Sequence, residues 1–299
     1  MTKQKLLRSW NKIEKVFLYI FVLHVLFFLW FIVQKFSVEG FVVENLKTKV
    51  LLVCAGLLVI GLVYYFWLRH IAWLHKAAVY IKDIFFICYI SSFFYLLVGF
   101  VFNPLITLTQ IGSLLQLNGL KRDYISYDDM GPNIKLAVIA AEDQLFPDHD
   151  GFDLKAIKKA VKYNKRHPEK QRGASTISQQ TAKNIFLWQG GGFFRKGLEV
   201  YFTATIEAIW TKRTILARYL NIAEMGRGVF GVQAAAKKYF NKNAKDLTRQ
   251  EAAMIAASLP NPKKFTVVPL SKYVQARSGA ILRQMNNLEG DEDVQEIIK

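Results

Sequence analysis

The chain is 299 residues long, carries a formal net charge of +17 and is 52% hydrophobic, which allows one or two domains. Its two cysteines, Cys54 and Cys88, both fall in apolar stretches, so a disulfide-stapled scaffold is excluded. The basic excess suits a phospholipid surface or a phosphorylated substrate; no zinc-finger spacing or aromatic–basic repeat points to nucleic acid.

The first predicted elements are three uncharged stretches, at 16–33, 50–68 and 84–102. Each is long enough to cross a hydrocarbon layer of about 30 Å as a helix. A central charge would cost about 2.5–3.5 kcal/mol on insertion, and none of the three carries one. Lys3, Lys5, Arg8, Lys12 and Lys15 precede the first stretch, and no small-residue cleavage site follows it, as in an uncleaved signal anchor. Arg69, Lys76 and Lys82 lie between the second and third, against Lys35, Lys47 and Lys49 after the first. The positive-inside rule then puts the N-terminus in the cytoplasm. Residues 1–103 are expected to form a membrane region and 104–299 a domain outside the cytoplasm, held together by core burial. That domain keeps a basic excess, with 29 Lys and Arg against 19 Asp and Glu.

From 104 onward the pattern is helical. An apolar helix over 134–143 starts after Pro132 and Asn133; a basic one over 154–166 has Asp153 as N-cap. Thr176 and Gln179 fit a capping box, and Gly190, Gly191 and Gly192 break the chain. Helices over about 193–211, at "TILARYLNIAEM" and at "VQAAAKKYF" follow, then a second capping box, Thr248 with Glu251, before a helix ended by Pro260 and Pro262. No alternating strand pattern of useful length and no repeat occurs, so the domain is read as mainly α.

Three clusters could carry chemistry. "AAEDQLFPDHDGFD" (140–153) places Glu142 and Asp143 where an apolar helix ends, at a border of core and solvent that can raise a carboxylate's pKa. An ordinary acidic helix end, with His149 and Asp153 shaping a turn, is the plainer alternative. In "RGASTISQQTAKN" (172–184), Ser175, Gln179 and Lys183 are four apart and are expected to share a helix face able to bind sugar hydroxyls or phosphate oxygens; a solvated face would read the same. In "RKGLE" (195–199), Arg195 and Glu199 have the spacing of a surface ion pair worth under about 1 kcal/mol.

In this order and spacing the three clusters resemble the first three motifs of the family 51 glycosyltransferases, the peptidoglycan polymerases. "ILARYLNIAEMGRGVFGVQAAAKKYF" is similar to the segment that follows them, and the resemblance covers roughly 134–262. No Lys-Thr-Gly signature occurs, and the monofunctional members, without a transpeptidase domain, are the better match. The resemblance implies a lysozyme-like α-helical domain, here behind the anchor of about three membrane helices read from the apolar stretches. It implies that the domain lies on the periplasmic side of a bacterial inner membrane and polymerises lipid II for cell wall biogenesis and cell shape. Glu142 would be the general base and Glu199 a second catalytic carboxylate. Ser175, Gln179, Gln180, Lys183, Arg195 and Lys196 would contact substrate, with a divalent metal, Mg²⁺ or Mn²⁺, held near Glu199. Partners would be lipid II, the growing glycan chain, the membrane, and proteins of wall synthesis or division.

The chain departs from the family pattern in places. Gly191 stands where the family often has a pyrophosphate-binding Arg; either Lys183, Arg195 and Arg172 compensate or donor binding is weakened. Ala217 replaces a common Glu, Ser178 a common Thr, and two membrane spans are added to the usual one. A wall-cutting muramidase and a non-enzymatic scaffold are the competing readings. The run from Lys155 to Arg172, eight basic residues against Glu169, is either a solvated helix face or a patch that touches anionic lipid.

Overall fold

A computed structural model describes residues 3–38, 46–170 and 172–299. The side chains of Lys3, Lys5, Arg8, Lys12, Lys35, Lys47 and Lys49, counted above for orientation, lie outside the described residues. The chain divides into two units, Met1–Val98 and Gly99–Lys299.

The first unit is built from α1 (Lys3–Val38), α2 (Leu46–Phe66) and α3 (Ala72–Val101), whose last turn enters the second unit. All three are long and apolar enough to cross a membrane. The third runs well ahead of its uncharged stretch, taking in Lys76, Lys82 and Asp83. Phe21 of α1 meets Phe85 and Tyr89 of α3 edge to face, each at 5.1 Å, and His24 Nδ1 lies 3.0 Å from the Tyr89 hydroxyl. Glu14 pairs with Lys82 at 2.5 Å, joining charged residues of the two helices. The spanning part of α2 buries nothing, which suits a helix solvated by lipid.

The second unit is helical around a small sheet. Its helices are α4 (Leu108–Leu115), α5 (Pro132–Glu142), α6 (Leu154–Arg166), α7 (Ile177–Phe186), α8 (Phe193–Ile209), α9 (Lys212–Ile222), α10 (Val232–Phe240), α11 (Arg249–Ser258), α12 (Lys272–Leu288) and α13 (Glu292–Ile298). The domain is mainly α, as expected, with one small sheet added: β1 (Lys121–Arg122) pairs parallel with β3 (Val229–Phe230), which pairs antiparallel with β2 (Glu224–Gly226). Strands of two or three residues are too short for any alternation to register in sequence.

Two helix groups make the core. Every residue of α5 from Ile134 to Ala140 is buried, and that helix packs on α11 and α12. α7 packs on α8 and α9, and all of α9 from Ile215 to Ile222 is buried. The buried Arg218 of α9 holds the start of this unit: it donates to the Gly99 and Phe100 carbonyls at 2.7 and 2.9 Å and to Asn103 Oδ1 at 3.0 Å. Capping boxes start α7 (Thr176, Gln179) and α11 (Thr248, Glu251), and Asp153 caps α6 through the Ala156 N–H at 2.8 Å. A further capping box, Thr107 with Gln110, starts α4. On α6 Lys155, Lys158, Lys159, Lys162, Lys165 and Arg166 are all exposed.

Candidate active site

α5 ends at Glu142 because Asp143, its C-cap, turns out of the helical region (φ −162°, ψ 79°). Asp143 is buried and binds the two segments that frame the site. Its carboxylate accepts from His149 Nε2 at 2.9 Å and from the Ile177 N–H, the first residue of α7, at 3.0 Å. His149 Nδ1 accepts from the Gly151 N–H at 3.1 Å, so the ring proton sits on Nε2 and points at Asp143. An acid at a helix N-terminus also meets the positive end of the helix dipole.

The turn after Asp143 is fixed from below. Phe146 is fully buried, and Lys212 Nζ lies 4.8 Å from its ring centroid. Lys212 also binds the His149 carbonyl and Glu207 Oε1, and Glu207 accepts from the buried Ser178 hydroxyl. Gly151 closes the turn with φ +86°, and a Cβ there would stand 2.8 Å from Thr203 Cγ2 and 2.9 Å from Glu207 Cγ. Gly151→Ala is therefore expected to cost about 1–3 kcal/mol, read as a drop in denaturation midpoint at unchanged slope.

Glu142 is partly exposed at the edge of this frame. Gln180 Nε2 donates to its Oε2 at 2.7 Å, and the fully buried Tyr219 hydroxyl donates to Gln180 Oε1 at 3.2 Å, which sets the amide's orientation. Among the described residues Glu142 Oε1 has no hydrogen-bond partner. Burial pushes the Glu142 carboxyl above its ordinary range; the Gln180 hydrogen bond and the charges of Arg277 and Lys183 pull it back, while Asp143 pushes it further up.

Lys183 stands one turn along α7 from Gln180. Among the described residues its ammonium makes no hydrogen bond or ion pair. Burial lowers its pKa; the nearby Glu199 opposes this, Arg195 and Lys196 add to it, and Glu142 opposes it weakly. Each residue of the hydrogen-bonded Glu142–Gln180 pair lines a cavity. One, of about 300 Å³, is lined by Glu142, Asp143, Ser175 and Thr176. The other, of about 310 Å³, is lined by Gln180, Lys183, Asn184, Tyr219, Glu224 and Lys263.

Placing the expected residues changes three of the readings. Ser175, Gln179 and Lys183 do not form one helix face. Ser175 precedes the helix and is exposed, and Gln179 is buried, its side chain accepting from the Thr176 N–H at 3.1 Å. Gln180 takes the place beside Lys183 that the spacing gave to Gln179. Arg195 and Glu199 are not a surface pair either. Glu199 is buried, with Arg195 Nη1 at 2.7 Å from one oxygen and Lys196 Nζ on the other. A divalent metal at Glu199 would have to displace one of those cations. Among the described residues no group of three or more His, Cys, Asp or Glu could hold one. The donor set here does not fit a divalent metal.

Tyr219, Glu224 and Arg277 were not anticipated. Burial raises the Glu224 pKa, opposed by the Gly228 N–H and the Lys263 and Arg227 charges. Tyr219 and Glu224 lie inside the quoted fourth segment, but nothing in their spacing marks them as lining a cleft.

A helical domain with a partly buried carboxylate of raised pKa near several cations has the make-up of an enzyme active site. Residues 109–286 match the family described as Transglycosylase, and the chain belongs to that family. Within it the chain is 56% identical to a protein of Escherichia coli and 57% identical to one of Yersinia pseudotuberculosis, both called biosynthetic peptidoglycan transglycosylase. A protein of the same name from Shigella boydii is 56% identical. Each match spans 174 residues, which is 58% of this chain and 72% of the relative.

Proposed function

We propose that the protein is a monofunctional peptidoglycan glycosyltransferase that polymerises lipid II into β-1,4-linked glycan, with Glu142 as general base. The observation that carries this reading is the Glu142–Gln180–Tyr219 chain. It engages one carboxylate oxygen, leaves Oε1 for substrate and stands beside Lys183, which has no ion-pair partner among the described residues. A base oriented in this way, with its proton affinity raised toward neutrality, suits abstraction from a sugar hydroxyl.

In the reaction, Glu142 Oε1 takes the proton of the acceptor's GlcNAc 4-hydroxyl as its oxygen attacks C1 of the donor MurNAc. The C1–O bond to the pyrophosphate breaks on the opposite face, so the α-linkage inverts to β. The electron pair leaves on undecaprenyl pyrophosphate, whose charge Lys183 and Arg195 neutralise. The cavities on either side of the Glu142–Gln180 pair serve as acceptor and donor sites. No step is routed through a metal. Glu199 acts through its partners, holding Arg195 and Lys196 at the pyrophosphate side.

The reading places the N-terminus inside and residues 104–299 on the periplasmic face of a bacterial inner membrane, supported by the three apolar helices. Exposed Leu105, Ile111, Leu115 and Leu117 at the start of the second unit, and the lysine face of α6, suit work beside lipid. Proteins of wall synthesis or division are the partners to seek. The test is incubation of the purified full chain with lipid II in detergent. Glycan strands that lengthen with release of undecaprenyl pyrophosphate support the proposal. Unchanged lipid II with fragments cut from preformed glycan would overturn it in favour of a muramidase.

Gly191 gives a sharper check. It has φ +102°, and a Cβ there would sit 3.2 Å from both Arg195 Cβ and Trp188 Nε1. Gly191→Arg is expected to lower lipid II turnover several-fold by disturbing Arg195, where an added phosphate contact would raise it.

A further inference from the structure

Arg277 lies on α12, outside every segment singled out in the sequence, yet its guanidinium reaches the end of the helix that presents Glu142. Nη2 donates to the Ala141 carbonyl at 3.1 Å, across 136 residues of chain. Nε is buried and, among the described residues, has no hydrogen-bond partner. Holding a desolvated guanidinium N–H without an acceptor is costly, and α12 packs along α5 in a way that keeps it there.

The position explains the cost. Ala141 is among the last carbonyls of α5, groups that have no partner within the helix. Glu142 is the last residue of that helix, so its carboxylate sits at the negative end of the helix dipole and is disfavoured there. A cation on the Ala141 carbonyl offsets both. The other charged or titratable groups facing Glu142 are Asp143 from its own turn, Lys183 of α7 with the Gln180 amide, and Tyr219 of α9. Of the two cations, Lys183 has the weaker influence on Glu142, and Arg277 the stronger.

We propose that Arg277 is a positioning residue for the reaction: it fixes the C-terminal turn of α5 and keeps Glu142 charged, so that the base is ready before substrate arrives. This deepens the reading of Glu142 given above and rests on it. Removing the charge leaves the carboxylate against the helix end and its neighbour Asp143, and the proton is held to higher pH.

The test is Arg277→Gln, with Arg277→Lys as the charge-conserving control, on the full chain in detergent. Selective ¹³C labelling of Glu carboxyls, with Glu142→Gln identifying the resonance, follows the Glu142 titration without substrate. In Arg277→Gln the midpoint is expected to rise by about one pH unit. The acidic limb of lipid II turnover should move with it, with kcat reduced below that limb and KM unchanged; Arg277→Lys should stay near wild type. A merely structural role would lower activity with the Glu142 titration unmoved, and that result overturns the proposal. A moved titration with an unmoved activity limb keeps the Arg277 assignment and overturns Glu142 as the base. If Arg277→Gln unfolds, Arg277→Met, which keeps the stem's packing on α5, is read in the same way.

Discussion

Glu142→Gln is expected to lower lipid II polymerisation by about 10²–10⁴ while raising the melting temperature of the protein at neutral pH. The first part follows from the role of a base. An amide in the same place can still accept from Gln180 Nε2, so the local frame survives while the proton acceptor is lost. The second part follows from proton linkage. Burial raises the folded-state pKa of Glu142 above its ordinary value of 4.5. Between those two values the folded chain binds more protons than the unfolded chain, and stability falls as pH rises through that window. Above it the penalty is fully present, and Gln removes it. The gain should vanish below the ordinary carboxylate range, where both states are protonated. Calorimetry at pH 4 and pH 7 beside the lipid II assay checks both halves. A variant that polymerises normally would sink the base assignment, and one less stable at pH 7 would sink the electrostatic account.

Much of this frame could be read from the residues because its signals are local. The capping boxes at Thr176 and Thr248 and the Asp153 cap use side chains within three residues of the N–H they satisfy, and each begins its helix where expected. The apolar run before Glu142 ends at Glu142 itself. The failures have one cause: tertiary partners carry no short-range signature. Spacing by four put Ser175, Gln179 and Lys183 on one face, but the helix starts only at Ile177, and capping turns Gln179 back on itself. That hands the cleft to Gln180. Arg195 and Glu199 read as a solvent pair because nothing in five residues reports that α8 packs on α7 and that Glu199 is buried. Tyr219 and Arg277 reach the surroundings of Glu142 from α9 and α12, binding Gln180 and the Ala141 carbonyl 39 and 136 residues away, distances over which only the fold decides contact.

Lys183→Met is expected to reduce kcat by about 10²–10³, the scale of losing one group aimed at developing charge. Its pH signature separates it from Glu142. Burial lowers the Lys183 pKa below its ordinary 10.5, so its charge disappears at lower pH than an exposed lysine's. The turnover profile should be a bell, its acidic limb set by Glu142 and its alkaline limb by Lys183, both drawn inward from ordinary carboxylate and lysine values. Lys183→Arg keeps the charge to far higher pH, so it should move the alkaline limb up, leave the acidic limb in place and retain more turnover than the Met variant. An alkaline limb that stays put in Lys183→Arg would show that another group sets it. The stability sign can be worked out as well. With a folded pKa below the unfolded one, the unfolded chain binds more protons between the two, so stability rises with pH through that window. Below the window the charged lysine costs stability in full. Lys183→Met is therefore also expected to raise the melting temperature at neutral pH. Loss of activity with gain of stability, from Glu142 lining one cavity and Lys183 lining the other, is what a site that holds desolvated charges ready for substrate would give. Each charge is desolvated in advance, and neither is satisfied by the other.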